Sequence, residues 1–197
     1  MIVGVLKERK AGESRVAVSP EGVEVMTQQG HTVLVEKGAG EASGFQDIDY
    51  IRNGAEVVDP PAGSEVALEI IQRSAMLLKV REPQPFEYKL LQRDQILFSF
   101  LHLANSAELT HSLVRIGGIS IACETVQRAD GSLPLLKPMS EVAGAMAVQQ
   151  GAKYLEMAQG GHGILLGGVP NVVKGKVTYK AVADAFGLAF EPVDYQL

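Results

Sequence analysis

A chain of 197 residues is long enough for one full core or two small ones, and its net charge of −5, with no basic cluster, argues against nucleic acid or an anionic membrane surface as partner. Hydrophobic residues at 46% against 21% charged give the balance of a soluble globular protein. No apolar run approaches the roughly 18 residues of a membrane helix. The opening MIVGVLKERK gains charge too soon for a signal peptide, so a cytoplasmic protein is expected.

In chain order, Ile2 to Leu6 is an almost wholly apolar run, as in a strand covered on both faces. After a polar loop, SPEGVEVMTQQG predicts a helix with Ser19 as N-cap, Pro20 in first position and Gly30 past its end. HTVLVE reads as a strand, GAGEASG as a loop, DIDYIRNG as a short helix and AEVV as a third strand. Helical spacing over Glu65 to Gln72 leads to the strand AMLLKV. The prolines of EPQP then exclude a helix until one near Phe86 to Gln92. QILFSFLH is the next strand, Ser106 caps AELTHSLVRI, and ISIACETV is another strand. Its Cys123 reads as a buried, inert thiol in a reducing compartment. RADGSLPLLKP is a turn-rich connector, and Ser140 is expected to cap a long helix, EVAGAMAVQQGAKYLEM. This alternation predicts an α/β fold: a mostly parallel sheet with helices on both faces, joined by right-handed crossovers, followed by the long helix and a C-terminal strand and helix.

Ligands of an open parallel sheet bind beyond the carboxyl ends of its strands. Three positions carry useful chemistry there: Arg15 in the loop after the first strand, Lys79 and Arg81 at the end of AMLLKV, and His102 at the end of ILFSFLH. A guanidinium fork suits a small carboxylate, and an imidazole suits proton transfer or polarisation of a carbonyl. Each residue alone is also consistent with a solvated loop cation or a satisfied polar group. His31, His111 and His162 are weaker candidates, and no histidine or cysteine spacing supports a metal. Gly38, Gly40 and Gly44 miss the dinucleotide spacing by one residue and read as a turn. GGHGILLGG fails the spacing too.

GVLKERKAGESRVAVSP, GHTVLVEKGAG, GFQDIDYIRNGAEVV, FSFLHLA, LPLLKPMSEVAG and GILLGGVP together resemble alanine dehydrogenase; the related transhydrogenase alpha subunit shares the first of them, but FLHLA favours the former. The resemblance implies NAD-dependent oxidation of L-alanine to pyruvate and ammonia, with a discontinuous substrate domain and an inserted Rossmann domain for NAD. It implies that Arg15 binds the substrate carboxylate, that His102 is the catalytic acid or base, and that Met139 and Ser140 reach the nicotinamide and diphosphate side of the cofactor. Where the family reads KVKEP this chain reads KVREP: Lys79 matches the first lysine and Arg81 takes the place of the substrate-binding one. A guanidinium there is flat and permanently charged, so it can hold an oxygen but cannot share protons.

The family's glycine-rich turn does not follow GVP. The chain passes through GKVT at 175–178 into a tail, TYKAVADAFGL, that resembles the family's C-terminus. Too few residues follow Thr178 for even one βαβ unit of about 30. GKVT is therefore read as the seam of an internal deletion that removes most of the NAD-binding domain, including the family's catalytic aspartate. The expected organisation is a substrate-binding α/β domain over 1–135, a connecting helix with a glycine-rich junction over 136–175, and a segment over 176–197 that returns to the substrate domain. Little or no turnover by this chain alone is expected, with NAD binding in doubt. The alternatives are a module that binds pyruvate or alanine and pairs with full-length subunits or with itself, or a non-functional remnant whose long helix exposes apolar surface.

Overall fold

The computed structural model describes residues 1–61 and 68–166. GKVT and the segment 176–197 lie outside the described residues. The chain divides into two compact units, Met1–Leu135 and a second that begins at Leu136.

The first unit is built on six parallel strands: β1 (Ile2–Val5), β2 (Thr32–Glu36), β3 (Glu56–Val58), β4 (Met76–Arg81), β5 (Ile96–Phe100) and β6 (Ile119–Ala122). Their order across the sheet is β3-β2-β1-β4-β5-β6. The winding reverses between β1 and β4, and at such a switch point the loops leave in opposite directions and open a crevice.

Among the described residues five helices cover this sheet: α1 (Pro20–Gln28), α2 (Asp47–Arg52), α3 (Leu68–Arg73), α4 (Pro85–Tyr88) and α5 (Ala107–Ile116). Strand side chains alternate between two cores, as period-2 geometry requires. Val5, Val33 and Val35 pack with Val23 of α1 and Tyr50 of α2 on one face. Leu6, Leu34 and Leu77 pack with Ile70 and Ile71 of α3, Tyr88 of α4 and Leu109 and Leu113 of α5 on the other. The expected α/β class, with helices on both faces, is what the chain forms.

Local signals explain most boundaries. Ser19 Oγ accepts from the Gly22 amide at 3.3 Å and Ser106 Oγ from the Leu109 amide at 3.2 Å, so both caps form where expected. Gly117 ends α5 at φ 74°, a left-handed residue that lets its amide reach the Leu113 carbonyl. Gly4 has a different task. A Cβ there would lie 2.4 Å from Ser74 Oγ and 2.6 Å from Ile70 Cγ2, so the Ser74 and Ile70 side chains pack directly on the backbone of β1.

Some boundaries depart from the sequence reading. The helix expected at Phe86 to Gln92 stops at Tyr88, because Gln95 Oε1 takes the Gln92 amide at 3.1 Å and Asp94 turns at φ 65°. The last strand ends at Ala122, and Cys123–Thr125 forms a 3-10 turn. Cys123 is free and buried there, and burial pushes its thiol up to about 11.

The second unit carries α6 (Lys137–Tyr154). It begins before Ser140, the expected cap: Ser140 sits within the first turn, and its hydroxyl donates back to the Leu136 carbonyl at 3.3 Å. Pro138 permits the earlier start, since the first helical residues have no amide partner to lose. Val142, Met146, Val148 and Tyr154 of α6 are exposed.

Candidate functional site at the switch point

The loop that leaves β1 carries Lys7, Glu8, Arg9, Glu13 and Arg15, and β4 ends beside it with Lys79, Arg81 and Glu82. Arg15 is held by Glu13. Its Nε donates to Glu13 Oε1 at 2.7 Å, its Nη2 to Oε2 at 2.5 Å, and its own amide to Oε1 at 2.9 Å. These bonds hold the Glu13 carboxyl below its ordinary range, and nearby Arg81 adds to the effect. Arg15 in turn feels Glu8. Arg15, Glu13, Arg81 and Glu8 therefore share one neighbourhood across the switch point. A hollow of about 100 Å³ lies between the loops after β1 and β2, with Lys7, Glu8, Glu13, Arg15, Gly38 and Glu41 in its wall.

β4 has an extra residue before its end. Leu78 pairs with Phe98 but Arg81 pairs with Phe100, which makes a bulge. The amides of Val80 and Arg81 both donate to Glu8 Oε1, at 2.6 and 3.3 Å. The Arg81 side chain stays partly exposed, with Nε 3.5 Å from Glu82 Oε2.

Lys79 stands differently from the other rim cations. It is 3% exposed, and its ammonium lies 2.8 Å from Glu87 Oε1 and 3.4 Å from Glu8 Oε2. Glu87 also accepts the Gln84 amide at 2.7 Å and so caps α4. The result is a buried Glu8–Lys79–Glu87 triad just beneath the rim. Burial outweighs the pull of Lys79 and raises the Glu8 carboxyl above its ordinary value.

His102 lies two residues beyond β5, in the left-handed region at φ 46° and ψ 45°. Its ring stacks on Phe100, centroids 6.3 Å apart. Its amide donates to Glu124 Oε1 at 2.7 Å, and the Leu101 amide to Glu124 Oε2 at 3.2 Å. Arg15, Lys79, Arg81 and His102 all belong to the carboxyl end of one sheet, while Met139 and Ser140 belong to α6 of the second unit. The sequence reading did not single out Glu8, Glu13, Glu87 or Glu124. The only local signal was that Glu8, Glu87 and Glu124 lie within a few residues of a strand end or a proline turn, and Glu13 had none.

The described residues do not assemble a cradle for a dinucleotide pyrophosphate. The glycines after β2 enter a 3-10 turn of three residues, Glu41–Ser43. The Gly38 amide is taken by Asp47 Oδ1 at 2.8 Å, and Gly40 makes room for the Tyr50 ring rather than for a ligand. Among the described residues no group of acids, histidines and cysteine could hold a metal ion, and no helix is long and apolar enough to cross a membrane.

Residues 4–143 match the family model described as alanine dehydrogenase/PNT, N-terminal domain. An alanine dehydrogenase of Staphylococcus epidermidis is 52% identical over 178 residues, covering 90% of this chain and 46% of that protein. Among solved structures, an L-alanine dehydrogenase matches with TM-score 0.74 at 50% identity, over 89% of this chain and 46% of the other. A transhydrogenase from Sinorhizobium meliloti matches with TM-score 0.58 at 27% identity, over 65% of this chain and 36% of the other. The chain thus spans just under half the length of the curated relatives it matches. With these matches over a six-stranded sheet whose rim cations flank the switch point, the chain belongs to the alanine dehydrogenase/PNT family through its N-terminal domain.

Proposed function

We propose that this chain supplies the substrate-binding half of an alanine dehydrogenase and binds pyruvate or L-alanine at the β1/β4 crevice. The observation that carries this reading is the Arg15 fork in the wall of a small hollow beyond β1, with Arg81 close enough to act on its partner Glu13. Glu13 keeps the fork extended, and a substrate carboxylate would compete for the same two N–H groups. Arg81, at the position where the family resemblance implies a lysine, donates to the carbonyl oxygen without exchanging its proton. His102, two residues past the end of β5, is the group that gives or takes the proton. Lys79 supports this set from below through Glu8.

In the family NAD accepts the hydride from the substrate carbon. The described residues offer no cradle for it. We therefore infer that the 197-residue polypeptide turns over little or no L-alanine alone, and that Met139 and Ser140 contribute only where a nucleotide domain is supplied. Assembly with full-length subunits is one way to supply it.

Calorimetric titration with pyruvate tests the site. Arg15→Ala is expected to weaken binding at least about tenfold, the loss of a charge-assisted pair. Equal affinity of the two proteins would remove Arg15 from the site. NADH formation from L-alanine tests the second half: a rate within about tenfold of a full-length relative, a difference of about 1.4 kcal/mol in barrier, would overturn inactivity.

A further inference from the structure

A residue with a side chain occupies the left-handed region only where its surroundings impose it, and His102 does so at φ 46°. What surrounds its backbone is one carboxylate. Glu124, in the turn after β6, accepts the Leu101 amide on one oxygen and the His102 amide on the other. The His102 carbonyl then closes the next turn by accepting the Asn105 amide at 2.9 Å. These amides lie past the end of the β5 ladder, where a strand loses its neighbour's carbonyls and its N–H groups need another acceptor.

The same arrangement recurs along the rim. Glu8, past the end of β1, gathers the Val80 and Arg81 amides at the β4 bulge. Glu36, the last residue of β2, takes the Lys7 amide at 2.9 Å. In each case a glutamate from the adjacent strand collects amide hydrogens at the strand end that carries, or leads to, a candidate substrate residue. The carboxylate charge shortens and strengthens such bonds. Both oxygens of Glu124 point at backbone, so it is not itself offered to a substrate.

We propose that Glu124 is a positioning residue for His102: its two-oxygen grip on residues 101 and 102 imposes the left-handed turn that presents the imidazole on the rim. Glu8 does the corresponding work for Arg81. This inference rests on the proposed pyruvate site for its ligand measurement alone.

The experiment compares wild type, Glu124→Gln, Glu124→Ala, His102→Ala and Thr125→Ala by amide hydrogen exchange, imidazole NMR and pyruvate calorimetry. Glutamine keeps the side-chain size but offers one acceptor oxygen, so one of the two amides loses its partner. Glu124→Gln is expected to speed exchange at Leu101 or His102 at least about tenfold, with Leu97 to Phe100 unchanged. It should also shift the His102 ring resonances and weaken pyruvate about as much as His102→Ala. Glu124→Ala should free both amides, and Thr125→Ala neither. Should Glu124→Ala not fold, Glu124→Gln carries the same comparison. The proposal is overturned if both amides stay protected in the Glu124 variants and the ring resonances do not move. It is also overturned if those variants keep pyruvate affinity within about twofold while His102→Ala loses about tenfold. If wild type gives no pyruvate heat, the site reading fails, and exchange with ring resonances decides the positioning role.

Discussion

The middle of the sheet and its carboxyl end are built from different materials. In the middle, Val5, Val33, Leu34, Val35 and Leu77 are fully buried against apolar helix faces. Toward the carboxyl end the buried side chains also include Glu36, Lys79, Glu87 and Ser99. Apolar burial divides its stabilisation among many small contacts, so the loss of one methyl is felt in proportion. A buried ion cluster behaves otherwise, because its members are tolerable only together. The same strands thus end in a region where single changes have consequences far out of proportion to their size.

The largest expected effect is at the triad. Lys79→Met removes the cation lying between Glu8 and Glu87, and denaturant titration at pH 7 should show a loss of about 3–5 kcal/mol. The loss should shrink on acidification. Glu8 in the folded chain titrates above its ordinary value near 4.5 because burial disfavours its charge. A carboxyl raised in this way destabilises the fold at pH above its folded value. It is relieved as pH falls from that value toward the ordinary one. Removing Lys79 widens the window, since the attraction that lowers Glu8 is gone. Equal stability of the two proteins at pH 7 would show that the end of the sheet is no more coupled than its middle.

In the middle, Ile70→Val deletes one methylene from a fully buried side chain of α3. A loss of about 0.5–1.5 kcal/mol, independent of pH, is expected in the same titration. A larger loss that varies with pH would erase the distinction between the regions. The smallest effect belongs to the surface. Arg73 pairs with Glu56 at 2.7 Å and Glu69 at 2.5 Å in solvent, and Arg73→Ala should leave the denaturation midpoint unchanged, since exposed pairs are screened.

The same division explains what the sequence disclosed. Apolar runs and caps are local signals, so the strands around Val33–Val35 and the starts at Ser19 and Ser106 were legible, as was the class of fold. The rim positions of Arg15, Arg81 and His102 were legible because each lies at or after a strand end. Their supports were not. The Val80 amide meets Glu8 across 72 positions of chain, and no local pattern encodes that bond. The left-handed turn at His102 had no glycine to announce it. Ser140 was misread as a cap because an N-cap residue and a first-turn residue look alike until the carbonyl of Leu136 is seen to take its hydroxyl. Lys79, read as an equal of Arg81, is turned inward by strand alternation, while the bulge carries Arg81 outward.

Gly4 ties these layers together. Because the Ile70 and Ser74 side chains reach the β1 backbone directly at Gly4, the height of the first strand in the sheet is set by the seat of a helix on the opposite side from Val5 and Tyr50. Glu8 hangs four residues further on. A single hydrogen atom in place of a methyl therefore fixes how deep the loop anchor descends toward Lys79, and a packing event in the interior becomes a ruler for the mouth of the crevice.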